Sequence, residues 1–169
     1  MPPARIRCEP LTLERWADLV SHSAFEQGKT GGNRQALRRQ VTSGPPPGIL
    51  AYRGKRAIGW CAIAPRQSFP RLQRSRVLAP VDDTPVWSIT CIFVAKAERN
   101  QGVSRQLIRA ACRYARAQSA RVVEGYPIET TARQADPFVW TGVASAFRSE
   151  GFDEVLRRGP TRPIMRRRG

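Results

Sequence analysis

Residues 86–119 read VWSITCIFVAKAERNQGVSRQLIRAACRYARAQS, and this stretch decides the fold. It opens with a short apolar run, Val86 to Val94, which predicts a strand. A basic loop that contains glycine, Arg99 to Ser104, follows the strand, and the residues up to Ser119 then have the apolar spacing of a helix. Where a strand runs into the N-terminus of a helix, the backbone N–H groups of the turn form a favourable binding site for a phosphate or a pyrophosphate.

The predicted helix has two distinct faces. Its apolar stripe, which is expected to cover a sheet, consists of Leu107, Ile108, Ala111, Cys112 and Ala115. Its opposite face carries Arg105, Arg109, Arg113 and Arg116. At the N-terminal turn, Gly102 lets the backbone approach a ligand without a Cβ in the way. An anion bound there gains about 0.3–1 kcal/mol from the helix dipole and about 1.5–3 kcal/mol from each hydrogen bond to a charged oxygen.

The rest of the chain predicts one mixed α/β domain over residues 1–169, because neither an internal repeat nor an interior linker interrupts it. We expect Thr12 and Asn33 to cap the first two helices. Gly151 is expected to end the last helix in the left-handed conformation, with Phe152 packed back on it. Arg166 to Arg168, with Gly169, are expected to form a frayed basic tail. The other predicted elements are a strand at 5–8, helices at 12–20 and 33–41, a β-hairpin of 49–52 and 57–64, a loop at 68–85, a strand at 121–126, an irregular segment at 129–138, a helix at 141–150, and strands at 152–156 and 161–165.

Composition excludes several classes of function. The formal net charge is +16, with 29 basic and 13 acidic residues, so the chain attracts anions, although scattered arginines usually form a solvated surface. Four cysteines without CxxC spacing argue against a zinc site and against a disulfide framework. With His22 as the only histidine, we expect no metal site. Neither a signal peptide nor a membrane span is visible, so we expect a cytoplasmic protein without a membrane partner.

Two motifs resemble the GNAT superfamily of acetyl-CoA-dependent N-acetyltransferases. Arg99 and Gly102 match the first two named positions of its signature [Q/R]-x-x-G-x-[G/A], after the predicted strand, whereas Ser104 replaces the usual glycine or alanine. Its later signature, an aromatic residue followed by x-x-x-G-F, is matched from Phe147 to Phe152. The resemblance implies a mostly antiparallel central sheet flanked by helices, in which the fourth and fifth strands splay apart.

The resemblance also implies where acetyl-CoA, as the acyl donor, binds. Its pantetheine arm would pair with the fourth strand like an added strand, and its pyrophosphate would lie on the glycine loop. An N–H near Ile92 would donate to the thioester oxygen and then to the developing oxyanion. The implied donor-binding residues are Ile92, Phe93, Val94, Arg99, Asn100, Gln101, Gly102, Val103, Ser104, Arg105 and Phe147.

The chain departs from the family pattern at the residues that transfer protons. Phe147 stands where many members have a tyrosine that protonates the thiolate, and Ser88 stands where some have a glutamate base. A lysine-like amine, with a pKa of about 10.4, needs a base at neutral pH, whereas the thiol, with a pKa of about 8.5, leaves more easily. On the fifth strand, Glu124 is our candidate base and Tyr126 our candidate acid; alternatively, Glu124 pairs with a surface arginine and Tyr126 only packs.

Three functional interpretations stay open. The first is an N-acetyltransferase that acts on a primary amine of a small molecule or a protein by direct attack. The second is a catalytically silent acyl-CoA-binding regulatory module, since the usual acid and base are absent. The third, a nucleic-acid or ribosome binder, is favoured least, because no aromatic residues alternate with the arginines. Three tryptophans are candidates for an acceptor pocket or for the core, Trp60, Trp87 and Trp140, and both a monomer and a homodimer are compatible with the sequence.

Overall fold

A computed structural model describes residues 5–21, 31–129 and 140–169, with the backbone alone at residues 31–33. In this part of the chain, seven strands form one sheet in the order β1-β2-β3-β4-β5-β7-β6. All neighbours are antiparallel except β4 and β5, which are parallel. The predicted mixed, mostly antiparallel α/β fold is therefore confirmed. The strands are β1 (Ile6–Pro10), β2 (Gly48–Arg53), β3 (Arg56–Pro65), β4 (Trp87–Val94), β5 (Val122–Gly125), β6 (Asp153–Gly159) and β7 (Arg162–Arg168).

The helices flank this sheet. Those described are α1 (Trp16–Val20), α2 (Gly31–Ser43), α3 (Pro70–Gln73), α4 (Val103–Ala117) and α5 (Ala144–Arg148), with 3₁₀ turns at Leu13–Arg15, Arg66–Ser68 and Lys96–Glu98. The expected cap at Thr12 is wrong, because its side chain makes no capping hydrogen bond. The cap at Asn33 is also wrong, since α2 already begins at Gly31. The last predicted helix is shorter than expected because Val143 is extended and bridges to Ile128.

The two faces of the sheet bury different clusters, because successive side chains of a strand point to opposite sides. On one face, the apolar stripe of α4 packs on residues such as Ile63, Ile89 and Met165, as its spacing predicted. On the other face, Leu19 of α1 and Val41 of α2 pack on β2 and β3. Helix α4 is thereby fixed along its length.

The predicted loop at 68–85 is a cover over the second face of the sheet. It begins with a 3₁₀ turn and α3, and Leu72 of α3 packs with Tyr126 and with Ile164 of β7. The prediction of an irregular surface loop is wrong for the first part of this segment. The prolines and charged residues of this segment gave no indication that one of its sides is apolar.

The expected frayed tail is also wrong. Arg166, Arg167 and Arg168 belong to β7, where they pair with Glu124, Val123 and Val122 of β5. Arg166 is buried because its guanidinium is held by carboxylates from two other segments. The run of three arginines gave no sign of these partners.

The end of α5 agrees with its sequence signal. Gly151 has a φ of 79°, in the left-handed region that favours glycine. The N–H of Phe152 donates to the carbonyl of Phe147, and the two rings form an edge-to-face pair with centroids 5.0 Å apart.

Candidate functional site

A gap opens between β4 and β5. The two strands pair only at Trp87–Val123, Ser88–Glu124 and Ile89–Gly125, and they separate beyond that point. On its other side β4 stays paired with β3 up to Val94, with Thr90 forming a bulge. The predicted splay of the fourth and fifth strands is therefore present, and beyond Ile89 it leaves this edge of β4 without a strand partner.

The turn before α4 offers free main-chain donors. Asn100 and Gly102 both have positive φ, 61° and 75°, and this bends the chain into the helix. Between described residues, no hydrogen bond has a main-chain N–H of residues 100 to 105 as its donor. Among the described residues, a Cβ on Gly102 would meet no atom within 4 Å. The N–H groups of the turn lie at the N-terminus, the positive end, of a 15-residue helix.

Side chains hold this turn from behind. Nε of Arg99 donates to the carbonyl of Val94 at 3.0 Å, and the Gln101 amide donates to the carbonyl of Ala97 at 2.9 Å. The buried carboxylate of Glu98 is paired with Arg53 and Arg56 from the β2–β3 hairpin. The turn is thereby tied to the sheet, and these bonds use none of the main-chain N–H groups of residues 100 to 105.

Arg105, in the first turn of α4, is tied to the end of α5. Its Nε donates to Glu150 at 3.2 Å, and Arg109 makes two bonds to the same carboxylate, at 2.9 and 3.0 Å. Burial alone would raise the pKa of Glu150, but the bonds from Arg109 and Arg105 lower it. Our sequence analysis missed Glu150, which lies 45 residues from Arg105 in the chain.

The main-chain N–H of Ile92, expected to be free for a thioester oxygen, is already bonded. It donates to the carbonyl of Trp140 at 2.7 Å. Two residues further on, the carbonyl of Gly142 accepts from Ile128, and Ile128 in turn accepts from Ala144, both at 2.9 Å. The residues from 140 to 144 therefore bridge the mouth of the gap, from β4 on one side to the chain beyond β5 on the other.

Phe147 forms the floor of this region. Its ring is fully buried, and a Cβ on Gly125 would lie only 2.2 Å from it. A Cβ on Gly142 would come within 3.0 Å of both Phe147 and Ile92. Phe147 was expected to contact the donor. In the structure, its ring packs against Gly125 and Gly142 at the bottom of the gap.

Glu124 and Tyr126 are brought together, as their alternation on β5 predicted, but in a buried ion network. One oxygen of Glu124 accepts from Nη1 of Arg66 at 3.1 Å, and the other accepts from Nε of Arg166 at 2.6 Å. Arg166 also makes two bonds to Asp82, at 2.7 and 3.0 Å. The alternative that Glu124 pairs with an arginine is realised twice, and both arginines are buried rather than on the surface.

The Tyr126 hydroxyl completes the network. It donates to Glu124 at 2.6 Å, accepts from Arg66 at 2.7 Å, and lies 2.8 Å from the hydroxyl of Ser88. Because its single proton goes to Glu124, Ser88 is the donor in the last pair. Burial and the adjacent Glu124 carboxylate raise the pKa of Tyr126, so its hydroxyl is a weak proton donor to a thiolate.

Arg66 is a residue whose importance the sequence did not show. Besides Glu124 and Tyr126, it donates to the carbonyls of Leu72 and Leu78, at 3.3 and 2.5 Å, and so fixes the cover over the sheet. Its Nε is buried and has no hydrogen-bond partner among the described residues. Among 29 basic residues, no local signal marks this one as buried.

The three candidate tryptophans differ in exposure. Trp60 is buried in the core, Trp87 is half-buried against the ring of Tyr114, and Trp140 is 51% exposed. Trp140 is therefore the most exposed of the three, and its main-chain carbonyl lies beside Ile92. Apart from residue 129, the segment predicted to be irregular, 129–138, lies outside the described residues.

Within the described ranges, His, Cys, Asp and Glu side chains form no group of three that could hold a metal ion. All four cysteines have free thiols. None of the described helices combines the length and the apolar character that crossing a bilayer requires.

Comparison with known proteins identifies the family. The model of the acetyltransferase (GNAT) family matches residues 13–134. A search of curated proteins found no match. A putative acetyltransferase of the GNAT family from Desulfovibrio desulfuricans has the same fold, with a TM-score of 0.61 and 14% identity over 97% of this chain and 99% of that one.

Two further solved structures with this fold contain ligands. AAC(6')-Iy, in complex with the bisubstrate analogue CoA-S-monomethyl-acetylneamine, gives a TM-score of 0.63 and 17% identity over 91% of this chain and 95% of that one. The NatC complex bound to Gag peptide and CoA gives 0.56 and 12% identity, over 96% of each chain. At these identities the likeness is one of fold.

Proposed function

This chain belongs to the acetyltransferase (GNAT) family, and we propose that it transfers the acetyl group of acetyl-CoA to a primary amine of a small molecule or a protein. The observation that carries the proposal is the open turn at residues 100–105, whose main-chain N–H groups have no acceptor among the described residues. The gap between β4 and β5 adds a second element, because it runs from the end of their pairing at Ile89 along the open edge of β4. CoA in the NatC complex, and a CoA-based analogue in AAC(6')-Iy, support the choice of donor.

In this proposal, the turn holds the diphosphate of the donor. The N–H groups of residues 100 to 104 would donate to its oxygens, and Arg105 adds a positive charge beside them. Gly102 fits this role because its positive φ bends the chain and no atom lies near its missing Cβ. The residues from Ile92 to Val94 would pair with the pantetheine arm along the open edge of β4.

Donor binding in the gap requires that the carbonyl of Trp140 leave the N–H of Ile92. That N–H then becomes available to the thioester oxygen, on which negative charge develops during attack. The segment that moves holds the gap through few hydrogen bonds, those of Trp140, Gly142 and Ala144. We therefore expect acetyl-CoA to bind with a local rearrangement of residues 140–144.

The thioester supplies an activated acyl carbon. The amine nitrogen forms a bond to this carbon, the carbon–sulfur bond breaks, and an amide and a free thiol result. The proton that the amine loses must be accepted by a base or by water. Glu124 as base and Tyr126 as acid stay a prediction, supported by their position next to the start of the gap and opposed by the two arginines that hold Glu124.

The second candidate function is a catalytically silent acyl-CoA-binding module. The specific observation in its favour is that the carboxylate of Glu124 is consumed by Arg66 and Arg166, while Phe147 replaces the expected acid. Thiol release, measured over a panel of amines with acetyl-CoA, separates the two candidates. Release above the rate of hydrolysis supports the transferase, and tight binding of acetyl-CoA without release supports the module.

The binding site is tested by two matched glycine substitutions. Gly102 and Gly54 both have positive φ, 75° and 61°, and both lack neighbours within 4 Å of an added Cβ. Gly102→Ala and Gly54→Ala therefore carry the same backbone strain, about 1–2 kcal/mol each, but only the first lies at the proposed site. Loss of one hydrogen bond to a phosphate, about 1.5–3 kcal/mol, would raise the Kd for acetyl-CoA by about 10- to 100-fold.

Calorimetry with acetyl-CoA reads the result directly. We expect Gly102→Ala to weaken binding at least tenfold, Gly102→Glu to abolish it, and Gly54→Ala to leave it unchanged. Equal Kd values for Gly102→Ala and the wild type would refute the site. Failure of the folded wild type to bind acetyl-CoA would refute both candidate functions.

A further inference from the structure

Four arginines line one cleft at the far end of α4. Arg116 lies in the last turn of the helix, Arg121 precedes β5, and Arg167 and Arg168 end β7. We call this the arginine cleft. It is separate from the turn at residues 100–105, because α4 places Val103 and Arg116 roughly 20 Å apart along its axis.

Among the described residues, no carboxylate side chain lies within salt-bridge distance of these four arginines. Of the eight residues that line the arginine cleft, none is acidic. None of the four arginines takes part in a salt bridge between described residues. Arg167 does contact the thiol of Cys112, but burial raises the pKa of that thiol to about 11, so the contact brings no negative charge at neutral pH.

This arrangement contrasts with the other arginine clusters of the chain. Arg66 and Arg166 share Glu124, and Arg105 and Arg109 share Glu150. One cation near a helix C-terminus is favourable, since it complements the dipole, and this accounts for Arg116. It does not account for the other three arginines that line the same cleft.

We propose that the arginine cleft binds the phosphodiester backbone of a nucleic-acid duplex. The planar guanidinium fork matches phosphate oxygens with two parallel hydrogen bonds. Phosphates along a duplex supply a row of such groups, and their neutralisation releases counterions. The proposal assigns four of the 29 basic residues to one surface site.

The surroundings of the cleft favour a duplex over an acidic protein or a single strand. The exposed large apolar side chains among the described residues are those of Leu13, Val77, Trp140 and Val155, and none lines the cleft. Protein interfaces depend on buried apolar and aromatic anchors, which are therefore missing here. Single-stranded nucleic acid is bound by stacking on aromatic rings, and no aromatic residue lines the cleft.

Fluorescence anisotropy with a labelled 20-base-pair DNA duplex, over a salt series, tests the proposal. Four phosphate contacts contribute a slope of about −3.6 to log K against log salt, at about 0.9 per contact. The triple variant Arg116→Gln, Arg121→Gln, Arg168→Gln should reduce the magnitude of this slope by about 2.7. Arg167 is retained because of its contact with Cys112.

A second triple variant is the matched control. Arg71→Gln, Arg74→Gln and Arg76→Gln remove the same charge from the segment that covers the sheet, where these side chains are exposed. We expect this variant to keep most of the wild-type slope and affinity. Both variants should unfold at the wild-type temperature and bind acetyl-CoA like the wild type, which separates this inference from the proposed function.

Four outcomes would overturn the inference. In the first, the wild type does not bind the duplex at 50 mM salt. In the second, the two triple variants lose the same affinity for the duplex. In the last two, polyglutamate competes more strongly than unlabelled duplex, or inorganic phosphate competes as effectively as the duplex. Equal losses would show that net charge alone attracts the duplex. Stronger competition by polyglutamate would point to an acidic protein. If the cleft variant is unfolded, Arg121→Gln and Arg168→Gln are measured singly, each with an expected slope change of about 0.9.

Discussion

Substitution of Glu124 by glutamine tests the buried ion network under the gap. The change keeps the size of the side chain and removes its charge. Arg66 and Arg166, with side chains only 9% and 5% exposed, would then face a neutral amide. Asp82 would still pair with Arg166, but no carboxylate within hydrogen-bond distance would remain for Arg66 among the described residues.

The expected loss of stability is large because a buried charge loses its partner. Removal of one member of a buried ion pair typically costs about 3–5 kcal/mol in the free energy of unfolding. The amide group of glutamine also carries hydrogens, and Glu124 now accepts from three donors: Arg66, Arg166 and Tyr126. At least one donor must therefore turn away or meet another donor.

Glu154→Gln is the matched control. Glu154 also lies between two arginines, Arg148 and Arg157, but its side chain is 32% exposed. Exposed pairs of this kind contribute about 0–1 kcal/mol. Urea denaturation, followed by circular dichroism, should show a loss of about 3–5 kcal/mol for Glu124→Gln and of less than about 1 kcal/mol for Glu154→Gln.

The reasoning fails if the two variants lose equal stability, or if Glu124→Gln stays within about 1 kcal/mol of the wild type. Thiol release by the same variant then bears on the predicted base. A variant that is stable and binds acetyl-CoA, but releases no thiol, would favour catalysis by Glu124. A variant that is unstable, but active below its unfolding temperature, would make Glu124 a structural residue.

Three further predictions concern other parts of the fold. If acetyl-CoA displaces the Trp140 carbonyl from Ile92, the fluorescence of the half-exposed Trp140 indole should change on titration with acetyl-CoA. The change should vanish in Trp140→Phe. An unchanged spectrum together with measurable binding would mean that residues 140–144 stay in place. Hydrogen bonds from two arginines lower the pKa of Glu129 to about 2. Its contribution to stability, measured against Glu129→Gln, should therefore be constant above its ordinary pKa of 4.5 and disappear as the pH falls from there towards 2. A stability difference that does not change with pH during acid unfolding would contradict this. Gly125→Ala places a Cβ 2.2 Å from the ring of Phe147 and should lower the free energy of unfolding in urea by about 1–3 kcal/mol or more. The additional substitution Phe147→Leu should restore part of this loss. A neutral result would show that the ring can move aside.

Much of the fold was predictable because its signals are local. The burial of one face of α4 follows from spacing within 15 residues, and the bend into it follows from Gly102. The left-handed Gly151 and the packing of Phe152 likewise depend only on their neighbours in sequence. Element boundaries were less accurate: α2 begins before Asn33, and Val143 is extended because it pairs with Ile128, a residue far from it in sequence.

The candidate site was predictable only in part. The turn proposed to hold the diphosphate is a continuous segment, so its residues could be identified together from the sequence. The hydrogen bond from the Ile92 N–H to the Trp140 carbonyl could not be predicted, because these two residues are 48 positions apart in the chain. The expected proton-transfer pair shows the same limit, because alternation placed Glu124 beside Tyr126 but said nothing of the arginines that hold it.

By itself, the sequence determined the family, the amphipathic helix and the turn that presents its N–H groups, because each is encoded in residues that are neighbours along the chain. Tertiary structure alone decided which charges meet. Arg66 reaches Glu124 across 58 residues and Arg166 reaches it across 42, whereas four other arginines line a cleft to which no carboxylate side chain contributes. In a chain with 29 basic residues, the environment of a charged side chain is fixed by the segments that fold against it, and composition cannot distinguish a buried arginine from an exposed one.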